Sequence, residues 1–366
     1  MNIPAKISGR CARCEILPSK VKGIGRLYLW SPLGHSINKI IRYLHSSGLE
    51  YQLLEDEQCL IVNLNETELA SMAVEVAAIL TSTELKDTRV LFMAGTAEPK
   101  LRDFSRVTEL SQFVNLSQSS WLLDMLAADR FTSHFQPIVH AADTSRIFGQ
   151  EVLLRGIDED DSLIAPGRLL SVARDANVLF QLDRAARLTA IREAAKFGLT
   201  DYIFINFTPT SIYDPVFCLR STVSAADQAG IPHKNIVFEV IESDRAQDIS
   251  HLESILRFYR DAGFLIALDD LGAGYSSLNL IHQLRPDFIK LDMELIRNVH
   301  QDPYKALITE KLLEIAQSLN IKTIAEGIEC EEELQWVRAH GANFVQGYLI
   351  TKPASPPVMA TPRIGD

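Results

Sequence analysis

The chain has 366 residues, 47% hydrophobic and 23% charged, with a net charge of −11. That length allows two or three domains, or one large barrel with an added module, and the acidic balance argues against a broad surface that coats a nucleic-acid polymer. No apolar run reaches the ~18 residues needed to span a membrane, the opening stretch "MNIPAKISGRCARC" lacks the apolar centre of a secretory signal, and five scattered cysteines fit a reducing cytoplasm better than a disulfide framework. A small anionic ligand remains compatible with this charge where local Lys, Arg or divalent cations meet it.

Residues 1–115 predict a small α+β module. Apolar runs at 26–30, 50–54, 59–64 and 89–93 read as strands, and Ser36–His45 and Glu66–Leu80 as helices. Asn65, followed three residues later by Glu68, forms a capping-box start for the second helix. The order βαββαβ is that of a ferredoxin-like domain. Cys11 and Cys14 form a CxxC pair, half of a zinc site; His35, His45 or Cys59 would have to supply the rest at no standard spacing. Two ordinary cytosolic thiols are the simpler reading. A regulatory or dimerising role is the default for such a module. The polar stretch 96–120 reads as a linker, and 120–131 as a helix leading into the C-terminal two thirds of the chain.

From about residue 134, short apolar strands alternate with helices. Strands are expected at 135–139, 148–155, 203–207, 236–242, 265–270, 288–292, 322–328 and 344–350, with helices such as Leu182–Lys196, Ala246–Ala262 and Pro303–Leu319 between them. This alternation gives a largely parallel sheet, and eight strands in this length suit a (β/α)8 barrel. Only His140–Ile147 separates the first two strands, whereas a parallel crossover takes about a dozen residues. The first strand should therefore run antiparallel to the second, in a modified TIM-like barrel.

Polar residues recur near the strand ends, where a barrel builds its active site. Glu151, Leu153 and Arg155 alternate along one strand and share a face. Asn206 ends "IFINF", Glu239 and Glu242 belong to "VFEVIE", and Asp269 and Asp270 stand side by side at the end of "LIALDD". Lys290 and Asp292 share a face in "FIKLD", Glu326 and Glu329 close "IAEGIE", and Gln346 precedes Gly347. Any one of these carboxylates is best read as a helix cap or a solvated residue. Six strands carrying them together are not, because so many carboxylates in one mouth repel unless cations intervene. Oxygen-rich sites of this kind select Mg²⁺ or Mn²⁺, and two ions ~3.5–4 Å apart clamp the attacking and leaving oxygens of a phosphoryl displacement. The turn "GAGYSS" after Asp270 lacks the GK[ST] ending of a Walker loop.

The ordered motifs "FQPIV", "EVLLRG", "NFTP", "FEVIES", "DDLGAGYSSL", "IKLD", "AEGIE" and "QGYLITKP" resemble the EAL domain of cyclic-di-GMP phosphodiesterases, over about residues 116–355. The resemblance implies a modified TIM barrel over 116–366 that hydrolyses cyclic-di-GMP to linear pGpG in the cytoplasm, with two Mg²⁺ or Mn²⁺ ions and inhibition by Ca²⁺. It implies Glu151, Asn206, Glu239 and Asp269 as ligands of one ion, with Asp269 and Asp270 helping to hold the second. Lys290 would orient the attacking water, and Glu326 would be the general base or a further metal partner. Arg155 would contact phosphate, Gln136 and Leu153 would line the ligand groove with Asp292 and Glu329, and Gln346 would complete the mouth. Glu242 would hold the "DDLGAGYSS" loop, which in the family couples metal binding to dimerisation, so a homodimer is expected. Val152 stands where the family motif has alanine, and Leu271 where it usually has Phe; both are apolar exchanges that should alter packing only. The second reading is a cyclic-di-GMP receptor without turnover on the same barrel. Receptors of this kind typically lose metal ligands or the loop motif, and none of the mapped ligands is missing.

Overall fold

A computed structural model of the chain describes residues 15–18, 23–56, 58–241, 249–271 and 277–364. The chain divides into two compact units, one built mainly from Leu17–Asp129 with Gly167–Leu182, the other mainly from Arg130–Pro166 and Asp183–Asp366.

In the first unit the strands are β1 (Gly25–Trp30), β2 (Tyr51–Leu54), β3 (Cys59–Leu64), β4 (Arg89–Ala94) and β5 (Thr108–Glu109), in the sheet order β2-β3-β1-β4-β5. Every pairing is antiparallel. Helices Gly34–Ser46 and Glu66–Ile79 complete the ferredoxin-like βαββαβ order. The alternation of β1 and β3 places Leu27, Leu29, Leu60 and Val62 in one core with Ile40, Leu44, Met72 and Val76 from the helices. The capping box forms as expected: Glu68 N donates to Asn65 Oδ1 at 2.9 Å, and Asn65 N to Glu68 Oε2 at 2.8 Å. The stretch 96–120 is not a linker. It contains a 3-10 turn (Leu101–Arg106), β5 and the helix Leu110–Gln118, because Leu110, Phe113 and Val114 form an apolar stripe that joins this core. Cys11 and Cys14 lie outside the described residues.

The second unit is the barrel. Its strands are β6 (Phe131–His140), β7 (Asp143–Ile157), β8 (Leu163–Ile164), β9 (Tyr202–Phe207), β10 (Ile236–Ile241), β11 (Leu265–Leu271), β12 (Phe288–Leu291), β13 (Lys322–Ala325) and β14 (Phe344–Val345). The order β6-β14-β13-β12-β11-β10-β9-β7 is closed by the β6–β7 pairing, and β8 is an appended edge on β7. β6 is antiparallel to both neighbours, while the pairings from β7 through β9 to β14 are parallel. The short β6–β7 connection has the consequence expected of it. Strands β13 and β14 are shorter than their apolar runs suggest. Past Ala325 the chain turns through Gly327 at φ +68°, and past Val345 it forms tight turns in which Ile350 and Thr351 N donate to Gly347 O at 3.1 Å.

The barrel interior is plugged by one layer of buried side chains, Ile138, Phe204, Val237, Ala267, Phe288, Ile324 and Phe344, packed with Phe148 and Tyr202. The rings of Phe148 and Phe344 stack with centroids 3.8 Å apart. In-facing residues recur at every second position of a strand. Two residues onward from this plug, along the parallel strands, lie Asn206, Glu239, Asp269, Lys290, Glu326 and Gln346; two residues back along the antiparallel β6 lies Gln136. On β7 the register slips beside Phe148, so that Ile138 faces Gly149. Two residues beyond Gly149 is Glu151.

Candidate active site

The centre of the site is Lys290, almost fully buried, whose Nζ lies 2.8 Å from Glu239 Oε1, 2.8 Å from Glu326 Oε1, 3.1 Å from Asp269 Oδ1 and 3.7 Å from Glu151 Oε1. Burial alone would push this ammonium down, but Asp269, Glu151, Glu239 and Glu326 outweigh it and hold the group well above the usual lysine range. Glu151 is fixed from both sides: Asn206 Nδ2 donates to Oε1 at 3.1 Å and Gln346 Nε2 to Oε2 at 2.7 Å. Gln136 Nε2 donates to the carbonyl of Thr351 at 3.2 Å.

The adjacent aspartates are explained by a break in strand geometry. The β11–β12 register shifts between Leu268 and Leu271, and Asp270 takes a left-handed backbone at φ +55°. Such a bulge lets two consecutive residues approach the same side, and Asp tolerates this backbone better than most side chains. Asp270 N also donates to Asp269 Oδ1 at 3.0 Å. As a result Asp269, Asp270 and Glu326 bring carboxylate oxygens within 4.8 Å of one another.

One cation does not balance this set. Burial raises Glu239 and Asp269, with further raising by Glu151, and Lys290 offsets it only in part. Burial together with Asp269 and Asp292 pushes Asp270 up to about 6. Burial, Asp269 and Glu151 push Glu326 up to about 8 against the pull of Lys290. Neither Glu239 oxygen has a hydrogen-bond partner of good geometry, although Oε1 stands close to Nζ. Desolvated oxygens with so few donors are the donor set that suits hard divalent cations.

A cleft of about 450 Å³ opens beside this centre, lined by Gln136, Glu151, Asp270, Asp292, Glu326, Glu329 and Gln346. Asp292 also caps the short helix Met293–Ile296, accepting from Glu294 N at 2.7 Å. Leu153 and Arg155 lie further along β7, outside the residues that line this cleft; burial holds the Arg155 guanidinium below its usual value. Glu242 and residues 272–276 lie outside the described residues. Five lining residues were not singled out from the sequence: Met293, Arg297, Gly327, Gly347 and Tyr348. The glycines carried a readable signal, since each interrupts a polar motif. A Cβ on Gly347 would stand 2.1 Å from Ile328 O. Tyr348 falls inside the motif "QGYLITKP", whereas nothing in the sequence marks Arg297.

No helix among the described residues is long and apolar enough to cross a membrane. The family model for the EAL domain matches residues 119–353. The probable cyclic di-GMP phosphodiesterase PdeG of Escherichia coli K12 is 30% identical over 225 residues, covering 60% of this chain and 44% of PdeG. The chain thus spans less than half the length of that relative. A standalone versatile EAL protein of Vibrio cholerae O395, solved in its c-di-GMP bound form, is 38% identical with a TM-score of 0.57, over 63% of this chain and 95% of that one. The manganese/cy-diGMP complex of Klebsiella pneumoniae BlrP1 shares the fold across 90% of this chain and 96% of its own, with 21% identity and a TM-score of 0.56. With its motifs in register on the strands of a closed barrel whose first strand is antiparallel, and a family match across most of that barrel, the chain belongs to the EAL domain family.

Proposed function

We propose that this protein hydrolyses one phosphodiester bond of cyclic di-GMP to give linear pGpG. The observation that carries the reading is the convergence of Glu151, Glu239, Asp269 and Glu326 on Lys290, beside the Asp269–Asp270–Glu326 cluster. Glu151, Asn206, Glu239 and Asp269 would hold one Mg²⁺ or Mn²⁺, and Asp269 and Asp270 would help to hold a second. When bound, such ions supply an activated water and neutralise charge on the phosphoryl oxygens.

The chain's own groups do the rest. Lys290 keeps the carboxylates in place and orients the attacking water. Glu326, whose carboxylate shares the cluster with Asp269 and Asp270, would accept the proton of the attacking water. Gln346 and Asn206 fix the rotamer of Glu151. Gln136, Asp292 and Glu329 line the ligand groove, with Leu153 beyond them and Arg155 reaching the ligand's phosphate. Glu242 would steady the loop after Asp270, in a cytoplasmic homodimer whose interface adjoins that loop. The barrel unit, chiefly Arg130–Pro166 and Asp183–Asp366, would be the phosphodiesterase, and the unit built mainly from Leu17–Asp129, rather than 1–115 alone, a regulatory or dimerising module.

The test is incubation with cyclic di-GMP in Mg²⁺, Mn²⁺, Ca²⁺ and chelator, with product analysis. Conversion to pGpG is expected with the first two only, because the longer bonds and looser geometry of Ca²⁺ misplace the water. Full turnover in excess chelator would refute the mechanism. Tight binding with no turnover in any metal would make the protein a receptor.

A further inference from the structure

The rim of the cleft holds Arg297 and Tyr348, to which the proposed function gives no role. Among the described residues lining the cleft, Arg297 is the one cation, facing Glu151, Asp270, Asp292, Glu326 and Glu329. Its Nη1 is hydrogen-bonded to Glu329 Oε2, and Glu329 is held below the usual carboxylate range chiefly by that bond. The pair is built into the barrel from below. The buried carboxylate of Glu333 accepts from Asn298 N at 2.9 Å through Oε1 and from Glu329 N at 2.9 Å through Oε2, so it ties together the two loops that carry the pair. Lys305 Nζ donates to Arg297 O at 3.0 Å. Tyr348 lines the same cleft, half exposed, with Lys352 Nζ 5.3 Å from the centre of its ring.

An aromatic face and a fixed donor–acceptor pair that line one cleft are the equipment for one nucleobase. A base stacks on an aromatic ring whatever its identity, so selection falls to the polar pair. Guanine presents the acceptors N7 and O6, which an arginine fork meets with two donated bonds, next to its N1–H and N2–H₂ donors, which a carboxylate accepts. Adenine presents an N6–H₂ donor where guanine has O6, and that donor would face the guanidinium. We propose that Arg297 is a specificity-determining residue that reads the O6/N7 edge of one guanine of the ligand, with Glu329 as its neighbour on the donor edge and Tyr348 as the stacking platform. This rests on the proposed cyclic di-GMP activity and extends it to the choice between purines.

The test compares cyclic di-GMP with cyclic di-AMP, whose phosphates and sugars are the same. Wild type, Arg297→Ala and Arg297→Lys are titrated by calorimetry in chelator to prevent turnover, with competition titration for the weaker ligand; KM and kcat on cyclic di-GMP are measured in Mg²⁺. A bidentate arginine–guanine contact is worth about 1–3 kcal/mol, so Arg297→Ala should weaken cyclic di-GMP about 5- to 150-fold at 1.4 kcal/mol per tenfold. Cyclic di-AMP should change less than about twofold by the same reasoning. KM should rise with kcat nearly kept, and Arg297→Lys, which restores charge without the fork, should not restore the preference. Equal weakening of both ligands would make Arg297 a phosphate contact and overturn the inference, as would no change in either. A wild type that neither binds nor hydrolyses cyclic di-GMP would overturn the proposed function, and this inference with it.

Discussion

Replacing Lys290 with methionine tests the electrostatic account of the barrel mouth. Methionine keeps most of the side-chain volume and removes the charge, leaving Glu239, Asp269, Glu326 and Glu151, all within 3.7 Å of Nζ, without their shared cation. Removing one partner from a buried charge pair costs about 3–5 kcal/mol. In a unit of roughly 150–250 residues each kcal/mol moves Tm by about 2–4 °C, so Lys290→Met should unfold about 6–20 °C below wild type in chelator. The pH dependence has a definite sign. Glu326 sits near 8 in the folded protein against an ordinary value of 4.5, so the native state keeps a proton that the unfolded chain has lost. Stability therefore falls as pH rises from about 4.5 to about 8. Lys290 is the group that opposes this rise, so the variant's deficit should be larger at pH 8 than at pH 5. Added Mg²⁺ should recover part of the Tm, and activity should stay lost. The assay is scanning calorimetry at both pH values, with chelator and with Mg²⁺. A midpoint within about 2 °C of wild type at pH 8 in chelator, less than one kcal/mol on this scale, would refute the reasoning.

Glu326→Gln should lower turnover by about 10²–10⁴-fold, the usual loss with a general base, while calorimetry still detects nucleotide binding; near-normal turnover would remove Glu326 from that role. Gly327→Ala would place a Cβ 2.3 Å from Met293 Cβ at a φ of +68°, which costs about 1–3 kcal/mol in overpacking and strain. It should cut kcat by displacing the adjacent Glu326, and a variant with native kcat and Tm would show that the turn adapts. In the N-terminal unit, Glu84 is pushed down to about 2 by Lys39, the Thr81 backbone and Ser36. Its stabilisation is present above about 4.5 and fades as pH falls toward 2, so Glu84→Gln should flatten the acid limb of that unit's unfolding, read by circular dichroism against pH.

Much of the barrel was legible because its signals are local. An eight-residue gap forbids a parallel crossover, so the antiparallel β6 could be read from His140–Ile147 alone. The site residues were legible through recurrence, since period two fixes which residue shares a face with an apolar neighbour. The strand ends at Ala325 and Val345 were not, because "KTIAEGI" and "FVQGYLI" keep strand-like composition past the point where glycine turns the chain. The stretch 96–120 shows the opposite case: its polar composition hides Leu110, Phe113 and Val114, whose helical spacing gives them a buried face.

The adjacent aspartates show how far such reading reaches. Period two would face Asp269 and Asp270 opposite ways, and the turn expected at a strand end already allows both to approach the mouth; what the sequence does not carry is the form that this lapse takes. That lapse is a register shift against β12, a property of the pairing that neither strand's sequence carries alone. The same holds for the rim. Arg297 and Glu329 lie on different βα loops, and the carboxylate that fixes them together belongs to Glu333, on the helix after the second loop. Chemistry that each strand supplies at a fixed offset from the plug is therefore visible in sequence. Selectivity, set by contacts between loops, becomes visible only once the barrel closes. The Arg297 and Lys290 variants separate these two layers, since the first should change which purine is bound and the second whether the mouth holds together at all.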